Sequence, residues 1–265
     1  MNSNVLELPS SAVNRNGDPT ISILGVQINN LTRLQVLDQL EALLRSADGP
    51  HHVCFAYANC LNYAYSDPVY RAALNHSKLV LGDGTGVRIA SSVLGNPLRE
   101  NQCGTDVIPS FLARINGTGA RVFLLGSTEP VAQQAAEKMR REFPAVIVCG
   151  VEHGYFQSDE EVIGRINAAR PDILLVGMGI PRQETWIAEN LHRLNARICF
   201  GVGAFFDFYS GAVPRAPRWM LRAGMEFIYR LYLEPRRLWR RYVIGSFLFL
   251  ARVYRQLLTG RGVRD

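Results

Sequence analysis

Short apolar runs alternate with segments of helical periodicity from residue 21 to residue 211. The apolar runs predict strands at 21–28 (one or two), 52–56, 79–81, 121–125, 145–149, 173–176 and 197–202. The helical pattern predicts helices at 34–44, 68–74, 87–94, a stretch ending near 143, 160–169 and 183–194. Strands separated by helices of this length indicate an α/β fold with a doubly wound, mostly parallel, Rossmann-like sheet. Ligands of such folds bind at the carboxyl ends of the strands.

The most informative stretch is 171–186, where a buried strand ends in glycine and a helix opens at Pro181. A glycine turn before a helix presents free backbone N–H groups and the positive end of the helix dipole, which favours an anion. Three other strands end in the same way, at 82–84, 126–130 and 201–203. The sequence therefore predicts that these turns hold a phosphate-bearing ligand.

The character of the sequence changes after Gly211. Residues 212–265 carry 12 arginines and three acidic residues, a net charge of +9, whereas residues 1–211 carry −3. Apolar residues mostly follow helical steps here, at Leu238, Trp239, Tyr242, Val243, Phe247, Leu250, Tyr254 and Leu257. The apolar run 242–251 is about half of the ~20 residues that a spanning helix needs, which favours a helix lying on an anionic membrane. The alternative is a C-terminal helix packed on the core with its arginines in water.

These patterns divide the chain into three segments: a flexible lead-in over 1–20, an α/β core over 21–211 and a basic, amphipathic appendage over 212–265. The lead-in is polar and lacks the apolar stretch of a signal peptide. A hydrophobic content of 48% and a charged content of 20% fit a folded globular protein. The five cysteines form no Cys-x-x-Cys pair, which predicts reduced thiols.

Standard cofactor motifs fail at the glycine turns. Val87, Arg182 and Phe206 replace the third glycine of a dinucleotide fingerprint, and no P-loop occurs, so a nicotinamide-dependent oxidoreductase is a weak alternative. The chain has neither an Asp-x-Asp pair nor a His and Cys ligand cluster, so we expect no metal and no cofactor. A nucleic-acid-binding protein using the basic tail is another alternative. Because the tail aromatics form an apolar stripe, we expect no nucleic-acid partner.

One ordered series of motifs remains. It consists of Asn59, Gly82-Asp83-Gly84-x-Gly86-Val87, Leu124-Leu125-Gly126, Gly154-Tyr155-Phe156, Gly177-x-Gly179-x-Pro181-Arg182-Gln183-Glu184, Gly201-Val202-Gly203 with Asp207, Arg215-Ala216-Pro217-Arg218-Trp219, and Gly224-Met225-Glu226-Phe227-Ile228-Tyr229-Arg230-Leu231 with Glu234-Pro235-Arg236-Arg237. As a series, from about Gly25 to about Tyr242, it resembles the WecG/TagA/CpsF family of bacterial glycosyltransferases.

The resemblance implies an inverting, metal-independent enzyme of cell-surface or exopolysaccharide synthesis. Such an enzyme transfers a sugar from a UDP-sugar to an undecaprenyl-diphosphate-linked sugar. It would work as a peripheral, monotopic protein on the cytoplasmic face of the bacterial inner membrane, while the acceptor's lipid stays in the bilayer. The resemblance leaves open the two sugars, the linkage and whether a homo-oligomer forms.

The resemblance also assigns site residues. Asp83 matches the proposed catalytic base, and an acceptor hydroxyl is a poor nucleophile until a carboxylate takes its proton. On the residues alone, Asp83 is equally explained as a helix cap or an Asx-turn. Arg215, as a catalytic residue, and Arg218, as a binding residue, match tail arginines that would neutralise the departing UDP. The other expected substrate-binding residues are Asn59 and Gln183 near the sugar and diphosphate, Tyr155 and Asp207 near the nucleoside, and Gly84 and Gly203 at the glycine turns.

Three positions depart from the family pattern. Tyr57-Ala58-Asn59 stands where the family usually has Thr-x-Asn, and Gly82-Asp83-Gly84 where it has Pro-Asp-Gly. Glu100-Asn101 replaces the Glu-Arg that usually precedes Gly-x-Asp. All three lie around the expected sugar pocket, so N-acetylmannosamine is not assured as the donor sugar, and the base is retained.

Overall fold

The computed structural model describes residues 19–260, apart from the side chains of Arg218, Arg222 and Arg237. The predicted lead-in therefore lies outside the described residues up to residue 18. The strands are β1 (Thr20–Ile23), β2 (Val26–Asn29), β3 (His51–Ala56), β4 (Leu79–Gly82), β5 (Arg121–Gly126), β6 (Ile147–Glu152), β7 (Ile173–Gly177) and β8 (Ile198–Gly201). They form one sheet in the order β1-β2-β4-β3-β8-β7-β5-β6. The β1–β2 pair is antiparallel and the pairings of the other strands are parallel.

Helices cover both faces of the sheet. Those of the first 211 residues are α1 (Arg33–Arg45), α2 (Ala58–Ser66), α3 (Pro68–Asn75), α4 (Gly84–Val93), α5 (Gly104–Ile115), α6 (Glu129–Glu142), α7 (Asp159–Ala169), α8 (Arg182–Asn190) and α9 (Phe205–Ser210). Strand residues alternate between the two faces, as the pleat requires. Val53 and Phe55 belong to one hydrophobic cluster, whereas Cys54 and Ala56 belong to another on the opposite face. The doubly wound, mostly parallel α/β fold is confirmed.

Local sequence signals explain several boundaries. The predicted strand region 21–28 is a hairpin, and its two turn residues Leu24 and Gly25 have φ values of 51° and 82°, the signs that a type I′ turn requires. Asp67 caps α3, because its carboxylate accepts from the amides of Val69 and Tyr70 at 2.9 and 3.1 Å. Pro68 occupies the first helical position, where its missing N–H costs nothing.

Within the core, the structure adds three helices that the sequence pattern did not predict, α2, α5 and α9. Helix α2 begins two residues after β3, and α5 begins at a glycine and contains Pro109. Strand β6 lies at Ile147–Glu152 rather than at 145–149, so that prediction was shifted by two to three residues.

The tail folds into α10 (Arg218–Arg222), α11 (Glu226–Leu233), α12 (Pro235–Trp239), a π-helical turn (Arg240–Ile244) and α13 (Gly245–Thr259). Helix α13 packs on the core through Phe249 and Val253, each 1% exposed. Its Gln256 closes the edge of the sheet, since it accepts from the Leu24 amide at 2.8 Å and donates to the Ser22 carbonyl at 2.9 Å. The opposite face of the same helix is apolar and exposed. The tail thus packs on the core, as the alternative interpretation expected, and contact of its exposed face with a membrane stays a prediction.

Candidate active site

Most of the expected site residues lie at the carboxyl edge of the parallel sheet. Asn59 follows β3, Asp83 follows β4 directly, and Gly203 follows β8. Strands β4 and β8 flank β3, so at about 4.8 Å per strand their ends lie about 10 Å apart. Residues far apart in the sequence therefore lie near one another at this edge of the sheet.

Asp83 precedes the first residue of α4, but its side chain makes no capping hydrogen bond with that helix. This observation disfavours the helix-cap interpretation. Burial raises the pKa of the carboxyl group to about 7, and a hydrogen bond from the Cys103 thiol offsets part of that rise. A carboxylate with a pKa near neutrality is well matched to taking a proton at physiological pH.

Charged side chains surround Asp83. The carboxylates of Glu226 and Asp106 raise its pKa further, whereas the guanidinium of Arg230 lowers it. Arg215 donates from Nη1 to Asp106 Oδ1 at 2.8 Å, and its Nε lies 3.9 Å from Glu226 Oε1. Arg215 is therefore brought into this cluster, but two carboxylates already balance its charge.

Arg230 is a site residue that the sequence reasoning did not single out. Its guanidinium stacks 4.8 Å from the centre of the Phe208 ring and 6.0 Å from that of Tyr242. This stacking places a cation from α11 within electrostatic range of both Asp83 and Glu226. The quoted motif at 224–231 contained Arg230, but nothing local distinguished it from the other tail arginines.

The turn after Asp83 is tied to two other segments. The Gly84 amide donates to Asn101 Oδ1 at 2.6 Å, and Thr85 Oγ1 donates to the Gly224 carbonyl at 2.6 Å. Gly84 has φ = 89°, and a Cβ built on it would meet nothing within 4 Å, so this glycine combines left-handed backbone with open space. Asn101, one of the departures from the family pattern, thus accepts a hydrogen bond from the backbone N–H next to the predicted base.

The tail also covers the start of α2. The guanidinium of Arg241, in the π-helical turn, lies 4.8 Å from the centre of the Tyr57 ring. Asn62 Nδ2 donates to the Gly245 carbonyl at 2.7 Å. Asn59 lies between these contacts in the sequence and is half-buried. Tyr57, another departure from the family pattern, is therefore a docking point for the tail.

Gln183 connects two of the glycine turns. Its side-chain oxygen accepts from the Gly179 amide at 3.1 Å and from the Gly203 amide at 2.9 Å. Its nitrogen donates to Glu184 Oε1 at 2.7 Å. The amides of Gly179 and Gly203 are therefore not free in this structure, contrary to the prediction of open anion donors at these turns. Contact of Gln183 with a substrate stays a prediction.

The remaining turns converge at the other end of the same edge. Ser127, with φ = 54°, donates from its hydroxyl to Asp207 Oδ1 at 2.9 Å, and its carbonyl accepts from the Gly154 amide at 2.9 Å. Tyr155 follows that glycine and is 69% exposed. An exposed ring beside a polar turn can stack on a base. Binding of the nucleoside by Tyr155 and Asp207 stays a prediction.

Within residues 19–260, no group of three or more His, Cys, Asp or Glu side chains could hold a metal ion. No described helix is both long enough and apolar enough to cross a bilayer. Independence of a metal stays a prediction, to be tested by chelation.

Comparison with known sequences shows the family of this chain. A model of the family described as "Glycosyl transferase WecG/TagA/CpsF family" matches residues 21–262. The chain is 35% identical, over 67% of its length and 69% of the relative, to the N-acetylglucosaminyldiphosphoundecaprenol N-acetyl-beta-D-mannosaminyltransferase of Bacillus spizizenii strain W23. It is 30% identical to the enzyme of the same name from Staphylococcus aureus strain MRSA252, over 89% of this chain and 93% of the relative.

The protein is a glycosyltransferase, as the family match over most of its length shows. It belongs to the WecG/TagA/CpsF family, which confirms the resemblance drawn from the ordered motifs.

Proposed function

We propose that this enzyme transfers a sugar from a UDP-sugar to a sugar carried on undecaprenyl diphosphate, with Asp83 as the catalytic base. The observation that carries the proposal is the position of Asp83: it follows a parallel strand directly, does not cap its helix, and has a pKa raised to about 7. The names of the relatives, which specify a diphosphoundecaprenol-linked acceptor, support the acceptor class.

In the proposed reaction Asp83 takes the proton from the acceptor hydroxyl as that oxygen attacks the anomeric carbon. The bond to the UDP oxygen breaks in the same displacement, so the configuration at the anomeric carbon inverts. Holding both reactants at one site supplies the orientation that this step needs. Because Asp83 is half-buried and its pKa is about 7, its carboxyl group can take up and release a proton readily.

The departing UDP gains negative charge, and arginines of the tail would neutralise it. Arg230 is the described arginine whose charge reaches Asp83, so we assign it this role together with Arg215. Arg215 would have to exchange its contact with Asp106 or Glu226 for the diphosphate. The proposed contribution of Arg218 concerns a side chain outside those that the structure describes.

We further propose that the outer face of the tail rests on an anionic membrane. Along the π-helical turn and α13, an exposed apolar stripe runs beside the face that buries Phe249 and Val253; its members are Val243, Phe247, Leu250, Tyr254 and Leu257. Arginines flank this stripe, and each basic residue near an anionic surface contributes about 1 kcal/mol. The stripe would bring the active site to the bilayer that carries the acceptor's lipid.

The membrane proposal is tested by flotation of the full chain with phosphatidylglycerol-containing vesicles. Phe247, 77% exposed, is replaced by alanine, and Leu34, 64% exposed on α1, serves as the matched control. We expect Phe247→Ala to reduce flotation and Leu34→Ala to leave it unchanged. Equal flotation of both variants would contradict this orientation.

The substrate proposal is tested by incubating the protein with a synthetic undecaprenyl-diphosphate-linked N-acetylglucosamine and a panel of UDP-sugars. We expect product with at least one donor, and the panel identifies which. The departures at Tyr57 and Asn101 make UDP-N-acetylmannosamine one donor among several to compare. UDP release without glycosylated lipid in every reaction would overturn the proposed acceptor.

A further inference from the structure

Glu184 is a buried carboxyl group for which the proposed reaction has no use. It is 0% exposed at the start of α8, and burial raises its pKa to about 7. Buried ionisable groups are costly unless their contacts compensate them, so its position calls for an explanation. Its hydrogen bond with Gln183 supplies one.

The orientation of the Gln183 amide is fixed by its neighbours. Backbone N–H groups can only donate, so the two that face Gln183, from Gly179 and Gly203, require its oxygen on that side. The nitrogen must then point the other way, where Glu184 Oε1 accepts from it at 2.7 Å. The acceptor on Glu184 is therefore what allows the amide to hold both turns at once.

The packing around this contact leaves little freedom. A Cβ added to Gly201 would lie 3.1 Å from Gln183 Nε2 and 3.2 Å from Glu184 Oε1. Strand β8 thus ends in a glycine at the position where the two side chains meet. The hydrogen-bonded pair therefore fits against the bare backbone of β8 and connects the turn after β7 to the turn after β8.

We propose that Glu184 is a positioning residue that acts through Gln183, fixing the two glycine turns in the geometry that receives the nucleotide of the donor. This inference rests on the proposed UDP site. It assigns Gln183 the role of linking protein groups to one another through hydrogen bonds. Loss of the acceptor would leave Gln183 Nε2 unpaired and free the amide to turn, which would place a donor against the N–H groups of the turns.

Two measurements on the full chain test the inference: UDP affinity by calorimetry, and hydrogen exchange of the amides of Gly179 and Gly203. We expect Glu184→Ala to weaken UDP binding by about 10- to 100-fold, the equivalent of one or two lost hydrogen bonds, and to speed exchange at both glycines. Glu184→Gln retains an acceptor oxygen and should restore both readouts. Ile187→Ala, at another fully buried position of α8, should lower the melting temperature and leave UDP affinity unchanged.

The outcomes separate this inference from the proposed function. Wild-type exchange rates at Gly179 and Gly203 in Glu184→Ala would overturn the positioning role, whatever the protein binds. Equal loss of UDP affinity in Glu184→Ala and Ile187→Ala would likewise reduce Glu184 to a general stability residue. If the wild-type protein bound no UDP while exchange still responded to Glu184→Ala, the proposed nucleotide site would be wrong. Only the hydrogen-bonded link between the two glycine turns would then remain.

Discussion

Phe249→Ala is expected to destabilise the protein strongly, although the residue lies in the basic tail. The Phe249 ring is 1% exposed and lies in the hydrophobic cluster with Leu61, Val87 and Ala90. Replacing a buried phenylalanine by alanine costs about 3–5 kcal/mol, because the transfer free energy is lost and a cavity remains. That is a large part of the roughly 5–15 kcal/mol by which a domain is stable.

The neighbouring Phe247 provides a matched control, since it carries the same side chain on the same helix but is 77% exposed. Phe247→Ala should change the free energy of unfolding by no more than about 0.5 kcal/mol. Urea unfolding followed by circular dichroism measures both variants, and Phe249→Ala should lower the midpoint without changing the slope. Equal stability of the two variants would refute the packing of α13 on the core.

Three further predictions concern the chemistry. The rate of transfer should fall as pH drops below about 7, because burial raises the pKa of Asp83 to about 7 and the carboxyl group accepts a proton only when it is ionised. A pH–rate profile whose acid limb lies near pH 4 would contradict this. Cys103→Ala should move that limb to higher pH, because the thiol's hydrogen bond lowers the pKa of Asp83, whereas Cys103→Ser should not. A chelator should leave the rate unchanged, and a requirement for added magnesium or manganese would disprove the arginine-based account.

The sequence predicted the alternation of strands and helices well, because buried parallel strands are short and apolar. It missed α5 because that helix starts at Gly104 and contains Pro109, both of which are ordinary signals against a helix. It also could not reveal the sheet order. The adjacency of β3 and β8, which brings Asn59 towards Gly203, depends on pairing between segments nearly 150 residues apart.

The candidate site was predictable only where a motif was local. Asp83 and the glycine turns could be identified from their own neighbours in the sequence. Arg230 could not, since its proximity to Asp83 arises from a tertiary contact in which its guanidinium stacks on the Phe208 ring. The role of Glu184 depends on the space left by Gly201, 17 residues later. Contacts of this kind follow from the tertiary structure and leave no periodic signal.

The most direct test of Asp83 as the base compares wild type and Asp83→Asn in transfer from a UDP-sugar to the lipid-linked acceptor. Asparagine preserves the shape of the side chain but cannot take a proton. We expect UDP affinity to be retained while kcat falls by about 10²–10⁴-fold, the usual effect of removing a general base. A variant that binds UDP and transfers sugar at the wild-type rate would contradict the central role given to Asp83.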